Sequence, residues 1–254
     1  MEMVIIGSGN VATVLGHRFR EAGHRIRQVY SRQAAHAAGL GEELGCQAVS
    51  RWEDLYRDAD VYLAALSDDA LKGLGRHIAL PGRLVLHTAG AVPKDVLLDV
   101  SGNSGVLYPL QSLRKELKPY PEIPILIDAN REEDRERIAD LARSISGQVS
   151  EAGDEERLKL HLAAILVNNF TNHLYTLAAD YCRSEGADFS MLLPLIRTTV
   201  ERLAVTTPAE AQTGPAKRGD QTTIERHLKL IDNYKDIKEV YVLMTKQIMA
   251  AAGH

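Results

Sequence analysis

The sequence predicts an α/β protein in which a parallel sheet with crossover helices comes first and an all-helical part follows. Three observations support this fold class. An apolar, strand-like run enters a glycine turn at Gly7, strand-like and helix-like segments then alternate to about residue 150, and only helical periodicities follow Gly153. Parallel strands need crossover connections, so this alternation is typical of a parallel sheet. We therefore expect two domains, residues 1–152 and residues 153–254.

The first predicted strand and helix, joined by a G-x-G-x-x-A turn, are typical of a dinucleotide-binding unit. After strand 3–6, Gly7 would form the sharp turn and Gly9 would let the backbone approach a pyrophosphate. Ala12 would let the following helix pack on the strand, with its N-terminal N–H groups facing the phosphates. The alternative is a structural strand–turn–helix with no ligand. The residues predicted to bind the cofactor in this unit are Gly7, Ser8, Gly9, Asn10, Val11 and Ala12.

The end of the second predicted strand, residues 26–30, indicates which nucleotide is bound. An NAD-binding fold places an acidic residue here to hold the ribose hydroxyls, whereas this chain has Ser31 and Arg32. An arginine can clamp the 2′-phosphate of NADP and stack on the adenine, and a carboxylate would repel that phosphate. The alternative is a solvated surface arginine. The pair therefore predicts a preference for NADP(H) and argues against an S-adenosylmethionine-dependent methyltransferase.

Later strand ends carry further polar residues. A short capped helix is predicted from residue 50, then strands at 61–66, 84–86 and 105–107, a helix at 132–145, and last strands at 123–127 and 148–150. Ligands of open α/β sheets bind at the carboxyl ends of the strands. The alternative for each polar residue is a role in stabilising its loop. From these loops we expect Ser67 and Thr88 to contact the cofactor, and His87, Gln111 and Ser112 to contact the substrate.

The helical part begins with a long predicted helix, residues 154–182, which is too apolar in its middle to be a surface element. We expect it to be buried either by neighbouring helices or by a second subunit. His161, Asn168, Asn172 and Tyr175 would share one face of an uninterrupted α-helix. Polar groups on such a face need partners, which a ligand or a network between helices would supply.

A second cluster, residues 212–220, combines turn residues with Arg218, a candidate carboxylate-binding group. Either Asp220 or Thr222, with Glu225, would cap the helix that follows. A surface salt bridge is the alternative for Arg218. A last helix at 236–251 carries an apolar stripe that we assign to core or dimer contacts.

Composition narrows the class of protein. With 254 residues, 45% hydrophobic residues and a formal net charge of −4, the chain is typical of an ordinary enzyme and gives no support for nucleic-acid or membrane partners. No apolar run of about 20 residues and no leader is apparent, so a cytoplasmic location is the expectation. Cys46 and Cys182 have no metal-ligand spacing, and no metal site is predicted.

Taken together, these motifs resemble a known family. The chain looks like the Rossmann-like bacterial NADP oxidoreductases that have a helical C-terminal domain of unknown function. The segments that carry this resemblance are residues 7–12, Ser31-Arg32, 87–90, 108–112, 161–172 and 213–220. The family is related to pyrroline-5-carboxylate reductase, ketopantoate reductase and the β-hydroxyacid dehydrogenases. The resemblance implies a Rossmann domain followed by a helical domain similar to the C-terminal domain of 6-phosphogluconate dehydrogenase. It also implies an active site between domains and a homodimer joined through the helical parts.

One departure from these relatives affects the mechanism. β-Hydroxyacid dehydrogenases and ketopantoate reductases carry a Lys-x-x-x-Asn pair, whereas here Ala164 precedes Asn168 by four residues. We therefore hypothesise that His161 supplies the proton, because histidine titrates near neutral pH, while NADPH delivers hydride. Asn168 and Asn172 would orient the substrate and Arg218 would bind its carboxylate.

The expected function is thus NADP-dependent reduction of a small carbonyl compound such as a 2-keto acid, as in ketopantoate reductase. Two alternatives remain open. One is reduction of a cyclic imine, as in pyrroline-5-carboxylate reductase, where an already protonated imine would make a strong acid dispensable. The other is an NADP-binding sensor without turnover.

Overall fold

The computed structural model describes residues 1–254 and divides into two compact units, Met1–Asn168 and Asn169–His254. The first unit contains the whole sheet, whose last strand ends at Glu151. For this reason we retain residue 152 as the proposed limit of the nucleotide-binding domain.

The first unit is built on one eight-stranded sheet with the order β3-β2-β1-β4-β5-β6-β7-β8. All neighbouring strands are parallel except β6 and β7, which are antiparallel. The first six positions follow the Rossmann strand order, so the predicted fold class is confirmed. The bounds are β1 Glu2–Ile6, β2 Arg25–Tyr30, β3 Gln47–Val49, β4 Val61–Ala64, β5 Leu84–His87, β6 Ser104–Pro109, β7 Ile125–Ala129 and β8 Val149–Glu151.

The antiparallel pair corrects the expectation of a purely parallel sheet. Residues 110–124 join β6 to β7 without a helix. For β7 to pair with β6 in a parallel orientation, the connection would have to cross back to the edge of the sheet where β6 begins, usually as a helix. Without one, β7 runs back alongside β6, and Tyr108 pairs with Leu126.

Helices cover both faces of the sheet. Their bounds are α1 Asn10–Glu21, α2 Ala34–Leu44, α3 Asp68–Lys72, α4 Glu132–Arg143 and α5 Asp154–Ala164. Alternate strand residues point to opposite faces, so Met3 and Ile5 belong to one core and Val4 and Ile6 to the other. Every residue of β4 and β5 is buried, as the near-continuous apolar runs of parallel strands require.

One local prediction differs from the structure, and two elements of the structure were not predicted. The helix predicted from a capping box at Ser50 is a single 3₁₀ turn, Trp52–Asp54, with no side-chain cap, because the chain becomes extended again at Leu55. The segments α2 and β3 were not predicted. The α2 sequence is rich in alanine and glycine, and only Leu40 and Leu44 are large apolar side chains that it buries.

The second unit consists of helices. A π-helical segment, Ile165–Phe170, spans the boundary between the two units. The helices that follow it are α6 Thr171–Ser184, α7 Leu193–Arg202, α8 Pro208–Ala211, α9 Pro215–Arg218, α10 Gln221–Leu230 and α11 Lys235–Ala252. Of the two predicted caps for α10, Asp220 is the one present, since its side chain accepts from the Thr223 backbone N–H at 3.0 Å. None of the helices is long and apolar enough to cross a membrane.

The π-helical segment also corrects the predicted polar face. The expectation assumed 3.6 residues per turn from His161 to Tyr175, whereas a π turn contains an additional residue. The angular spacing of an uninterrupted α-helix therefore does not hold across residues 165–170. Asn172 and Tyr175 still share a face, because both lie within α6.

The predicted burial of this helical stretch does not occur within the single chain. Val167 is 74% exposed and Phe170 is 56% exposed. In the second unit the only buried apolar side chains are those of Ala216, Ile224 and Ile231. This unit consequently has almost no hydrophobic core of its own.

Candidate active site

The glycine turn after β1 has a backbone that only glycine accommodates. Gly7 has φ +125°, and its N–H donates to the Tyr30 carbonyl at 2.8 Å. A Cβ atom at Gly7 would overlap the Ala65 carbonyl oxygen. The turn is therefore held tightly between β2 and the end of β4, at the point where β1 has neighbours on both sides.

Gly9, in contrast, faces open space. It is the N-cap of α1, its φ of −83° suits any residue, and a Cβ there would have no atom within 4 Å. No side chain caps the helix, and its first turn contains no acidic residue. The free N–H groups and the positive end of the helix dipole thus face an accessible space, which fits a pyrophosphate. Ala12 is buried, as the predicted helix packing requires, while Asn10 is exposed and Val11 is half-buried.

Ser31 and Arg32 lie beside this turn. The Ser8 hydroxyl donates to the Ser31 hydroxyl at 2.8 Å, which ties the glycine turn to the end of β2. Arg32 is exposed and forms no ion pair. An unpaired guanidinium at this strand end, with no carboxylate in place of Ser31, fits a 2′-phosphate.

The remaining predicted cofactor residues follow β4 and β5 at the same edge of the sheet. Ser67 is exposed and precedes α3 without capping it through its side chain. Thr88 is buried at the end of β5. Since β1, β2, β4 and β5 are mutually parallel, the residues that follow them share one edge.

Tyr108 and His161 form a hydrogen-bonded pair at the ends of β6 and α5. The Tyr108 hydroxyl lies 2.9 Å from Nδ1 of His161, and the rings meet edge to face with centroids 5.9 Å apart. A Cβ at Gly90 would come within 2.8 Å of both the tyrosine ring and Nδ1. Gly90 thus leaves the space that the pair occupies. Tyr108 belongs to the segment 108–112, but the sequence predicts no role for it, because its partner is 53 residues away in sequence.

Arg157 is a second residue that the sequence analysis did not single out. Its side chain is 1% exposed, and Nη2 donates to the Val92 carbonyl and to Asp154, both at 2.6 Å. Nε and Nη1 have no hydrogen-bond partner. In the sequence it stands in the charged run Asp154-Glu155-Glu156-Arg157, which is typical of a solvated first helical turn.

His87 is completely buried, and its Nδ1 accepts from the Ala89 N–H at 3.2 Å. Burial, and secondarily the positive charge of Arg157, lower the pKa of His87 to about 4. The imidazole is therefore neutral near pH 7, and in this conformation a substrate cannot reach it.

The other predicted substrate residues are separated along the chain. Gln111 and Ser112 are exposed in the β6–β7 connection, where Gln111 Oε1 accepts from the Ser112 N–H. The same connection passes the glycine turn, since the Lys115 N–H donates to the Asn10 side chain at 3.4 Å. Asn168 lies in the π-helical segment, Asn172 in the first turn of α6, and Arg218 at the end of α9, and all three are exposed.

Family comparisons agree with this geometry. Residues 2–90 match the family described as NADP oxidoreductase coenzyme F420-dependent, and residues 123–248 match a domain of unknown function, DUF2520. The crystal structure of putative NADP oxidoreductase BF3122 from Bacteroides fragilis is 34% identical, covers 98% of each chain and superposes with a TM-score of 0.91. No curated protein matches the sequence.

More distant structures share the fold alone. An imine reductase from Myxococcus stipitatus in complex with NADP+ is 15% identical, with 100% of this chain and 94% of that chain covered and a TM-score of 0.71. A reductive aminase from Aspergillus terreus in complex with NADPH and ethyl levulinate is 17% identical, with 98% and 93% covered and a TM-score of 0.69. From the two matched regions and the whole-length relative, the chain belongs to the NADP oxidoreductase family with a DUF2520 C-terminal domain, an enzyme family whose cofactor is NADP(H).

Proposed function

We propose that the protein reduces the carbonyl group of a small molecule, such as a 2-keto acid, with NADPH. The observation that carries the proposal is the Tyr108–His161 pair at the ends of β6 and α5. Strand β6 is parallel to β5, so its end lies at the edge that also carries the glycine turn. Reduction of a carbonyl produces an alkoxide that requires a proton, and this pair is a proton source.

For the cofactor, the proposed contacts follow the geometry of the first unit. The turn from Gly7 to Ala12 holds the pyrophosphate, Arg32 and Ser31 hold the 2′-phosphate, and Ser67 and Thr88 line the remaining edge. When bound, NADPH supplies the hydride. The protein supplies the anion-binding N–H groups at the start of α1 and the cation at the end of β2.

For the proton, we propose His161 rather than His87. His161 is half-buried and retains exposed surface that a substrate can reach, whereas His87 has none. In the first unit, Gln111, Ser112 and Asn168 are proposed to orient the substrate. For Asn172 and Arg218, which belong to the second unit, contact with the substrate stays a prediction from the sequence. For His87 we propose a structural role, in which its buried ring holds the loop after β5 through the bond with the Ala89 N–H.

Reduction of a cyclic imine is the second candidate. The similarity in fold to an imine reductase and a reductive aminase supports this second candidate. A protonated imine would not need the proton of His161, so the two candidates predict different effects of His161→Gln. The variant should lose roughly 10²- to 10⁴-fold in kcat on a carbonyl substrate and little on an imine.

The test is NADPH oxidation with purified protein and a panel of 2-keto acids, ketopantoate and cyclic imines. We expect turnover with at least one 2-keto acid. Turnover with imines alone would contradict the carbonyl proposal. If no compound of the panel supported NADPH oxidation while the protein still bound NADPH tightly, the result would instead favour an NADP-binding sensor.

We also propose that the protein is a homodimer joined through the helical unit. Supporting this, the second unit buries only three apolar side chains, while Met191, Leu195 and Val205 are 77%, 63% and 86% exposed. Monomeric proteins rarely leave so much apolar surface in contact with water. A second copy of the chain would cover it.

A further inference from the structure

The Tyr108–His161 contact has a direction that the surroundings determine. Tyr108 is 9% exposed, and burial raises its pKa above the ordinary value despite the opposing charge of Arg157. The phenol is therefore protonated near pH 7. A neutral phenol beside a neutral imidazole donates to the ring nitrogen that carries no hydrogen. Here the nitrogen within reach is Nδ1, at 2.9 Å.

Two further features fix the histidine ring. Arg157 precedes His161 by four residues on α5, so both side chains lie on the same face of that helix. The bond from Arg157 to the Val92 carbonyl holds this face against the loop that follows β5. The absence of a side chain at Gly90, in the same loop, admits the ring and the tyrosine together.

We propose that Tyr108 is a positioning residue that donates to Nδ1 of His161, and thereby holds the neutral ring as the tautomer whose Nε2–H bond delivers the proton to the substrate. This inference rests on the proposed function. As the Nε2–H bond breaks and the substrate oxygen gains that proton, the Tyr108 proton moves to Nδ1, and a phenolate remains. The buried Arg157 guanidinium, whose charge already favours ionisation of Tyr108, stabilises the phenolate until Nδ1 returns the proton to the Tyr108 oxygen and Nε2 takes a new proton from water.

The chain contains a matched pair for comparison. His227 Nδ1 and the Tyr241 hydroxyl are also 2.9 Å apart, with edge-to-face rings 5.8 Å between centroids. Both residues belong to the second unit and play no part in the proposed reaction. Tyr241→Phe should therefore reproduce the local loss of a hydroxyl without affecting catalysis.

The first experiment needs no substrate or cofactor. Two-bond ¹⁵N–¹H spectra of protein labelled in histidine, at pH 7.5, report which ring nitrogen is protonated, and His161→Gln assigns the signals. We expect protonated Nε2 and hydrogen-bonded, unprotonated Nδ1 in His161, with Nδ1 shifting towards its free value in Tyr108→Phe and not in Tyr241→Phe. A protonated Nδ1 in the wild-type protein would overturn the proposal even if Tyr108→Phe failed to fold.

The second experiment uses the best substrate of the NADPH-oxidation panel. Tyr108→Phe should lower kcat at least about tenfold and leave KM and the NADPH dissociation constant unchanged, while Tyr241→Phe should match the wild type. Full activity in Tyr108→Phe would contradict the positioning role of Tyr108 but not the proposed function. An inactive wild-type protein would contradict the proposed function and leave the spectroscopic result to decide the tautomer.

Discussion

Burial decides which histidine side chains a substrate can reach. His87 and His161 were both predicted to contact the substrate, one as a binding group and one as an acid. The structure buries His87 completely and leaves His161 half-buried beside a tyrosine hydroxyl. Sequence alone could not separate them, because burial depends on contacts made by distant segments.

The depressed pKa of His87 predicts an acid-dependent loss of stability. The unfolded chain binds a proton to this residue below about pH 6.5 and the folded chain only below about pH 4, so the free energy of unfolding falls as pH decreases between these values. The contribution is about 3 kcal/mol across that window. Urea unfolding at a series of pH values should show a shallower decrease in His87→Gln than in the wild type. The exposed variant His36→Gln should follow the wild type, and parallel curves for His87→Gln would contradict the prediction.

Residue patterns that are local in sequence were predictable, and contacts across the chain were not. The places of Gly7 and Gly9 in the turn, and of Arg32 after the end of β2, could be predicted because the segments that define them lie within a few residues. Tyr108 and Arg157 could not, because the first depends on a residue 53 positions away and the second is buried against Val92, 65 positions away.

Among the secondary-structure elements, the turn between β1 and α1 contains one glycine that we expect to be needed for folding and one that we expect to be needed for cofactor binding. Gly7→Ala should destabilise the protein by more than about 2 kcal/mol, since a Cβ would overlap Ala65 and the backbone has φ +125°. Gly9→Ala should fold normally, because its Cβ meets no protein atom, but should bind NADPH weakly, because that Cβ occupies the space the pyrophosphate needs. Thermal unfolding and NADPH titration of both variants test this contrast. Equal NADPH affinity in Gly9→Ala and wild type would contradict it.

Element types were predicted better than their ends and connections. Strands with continuous apolar runs, such as β4 and β5, were identified, because their burial on both faces imposes that composition. The antiparallel β6–β7 pair and the π-helical segment were missed. The first depends on the absence of a crossover helix, and the second on one additional residue in a turn, which the apolar periodicity does not reveal.

At the scale of the whole molecule, the two units differ in how they bury apolar side chains. The sheet unit has extensive buried clusters on both faces, whereas the helical unit buries only Ala216, Ile224 and Ile231. Sedimentation or light scattering should give a mass of about 56 kDa, twice the 28.0 kDa of one chain. The unfolding midpoint should rise with protein concentration, because association stabilises only the folded chain. A monomer at micromolar concentration would contradict the proposed dimer.

We propose that the β1–α1 turn and the end of β2 together bind the phosphates of NADPH. Calorimetric titration with NADPH and NADH tests it most directly, on the wild type, Arg32→Ala and the exposed control Arg143→Ala. We predict that the wild type and Arg143→Ala bind NADPH more tightly than NADH. Arg32→Ala should lose about 1–3 kcal/mol, or roughly 5- to 150-fold, in affinity for NADPH and none for NADH. Tighter binding of NADH, an equal loss for both cofactors in Arg32→Ala, or no binding of either cofactor would contradict the account.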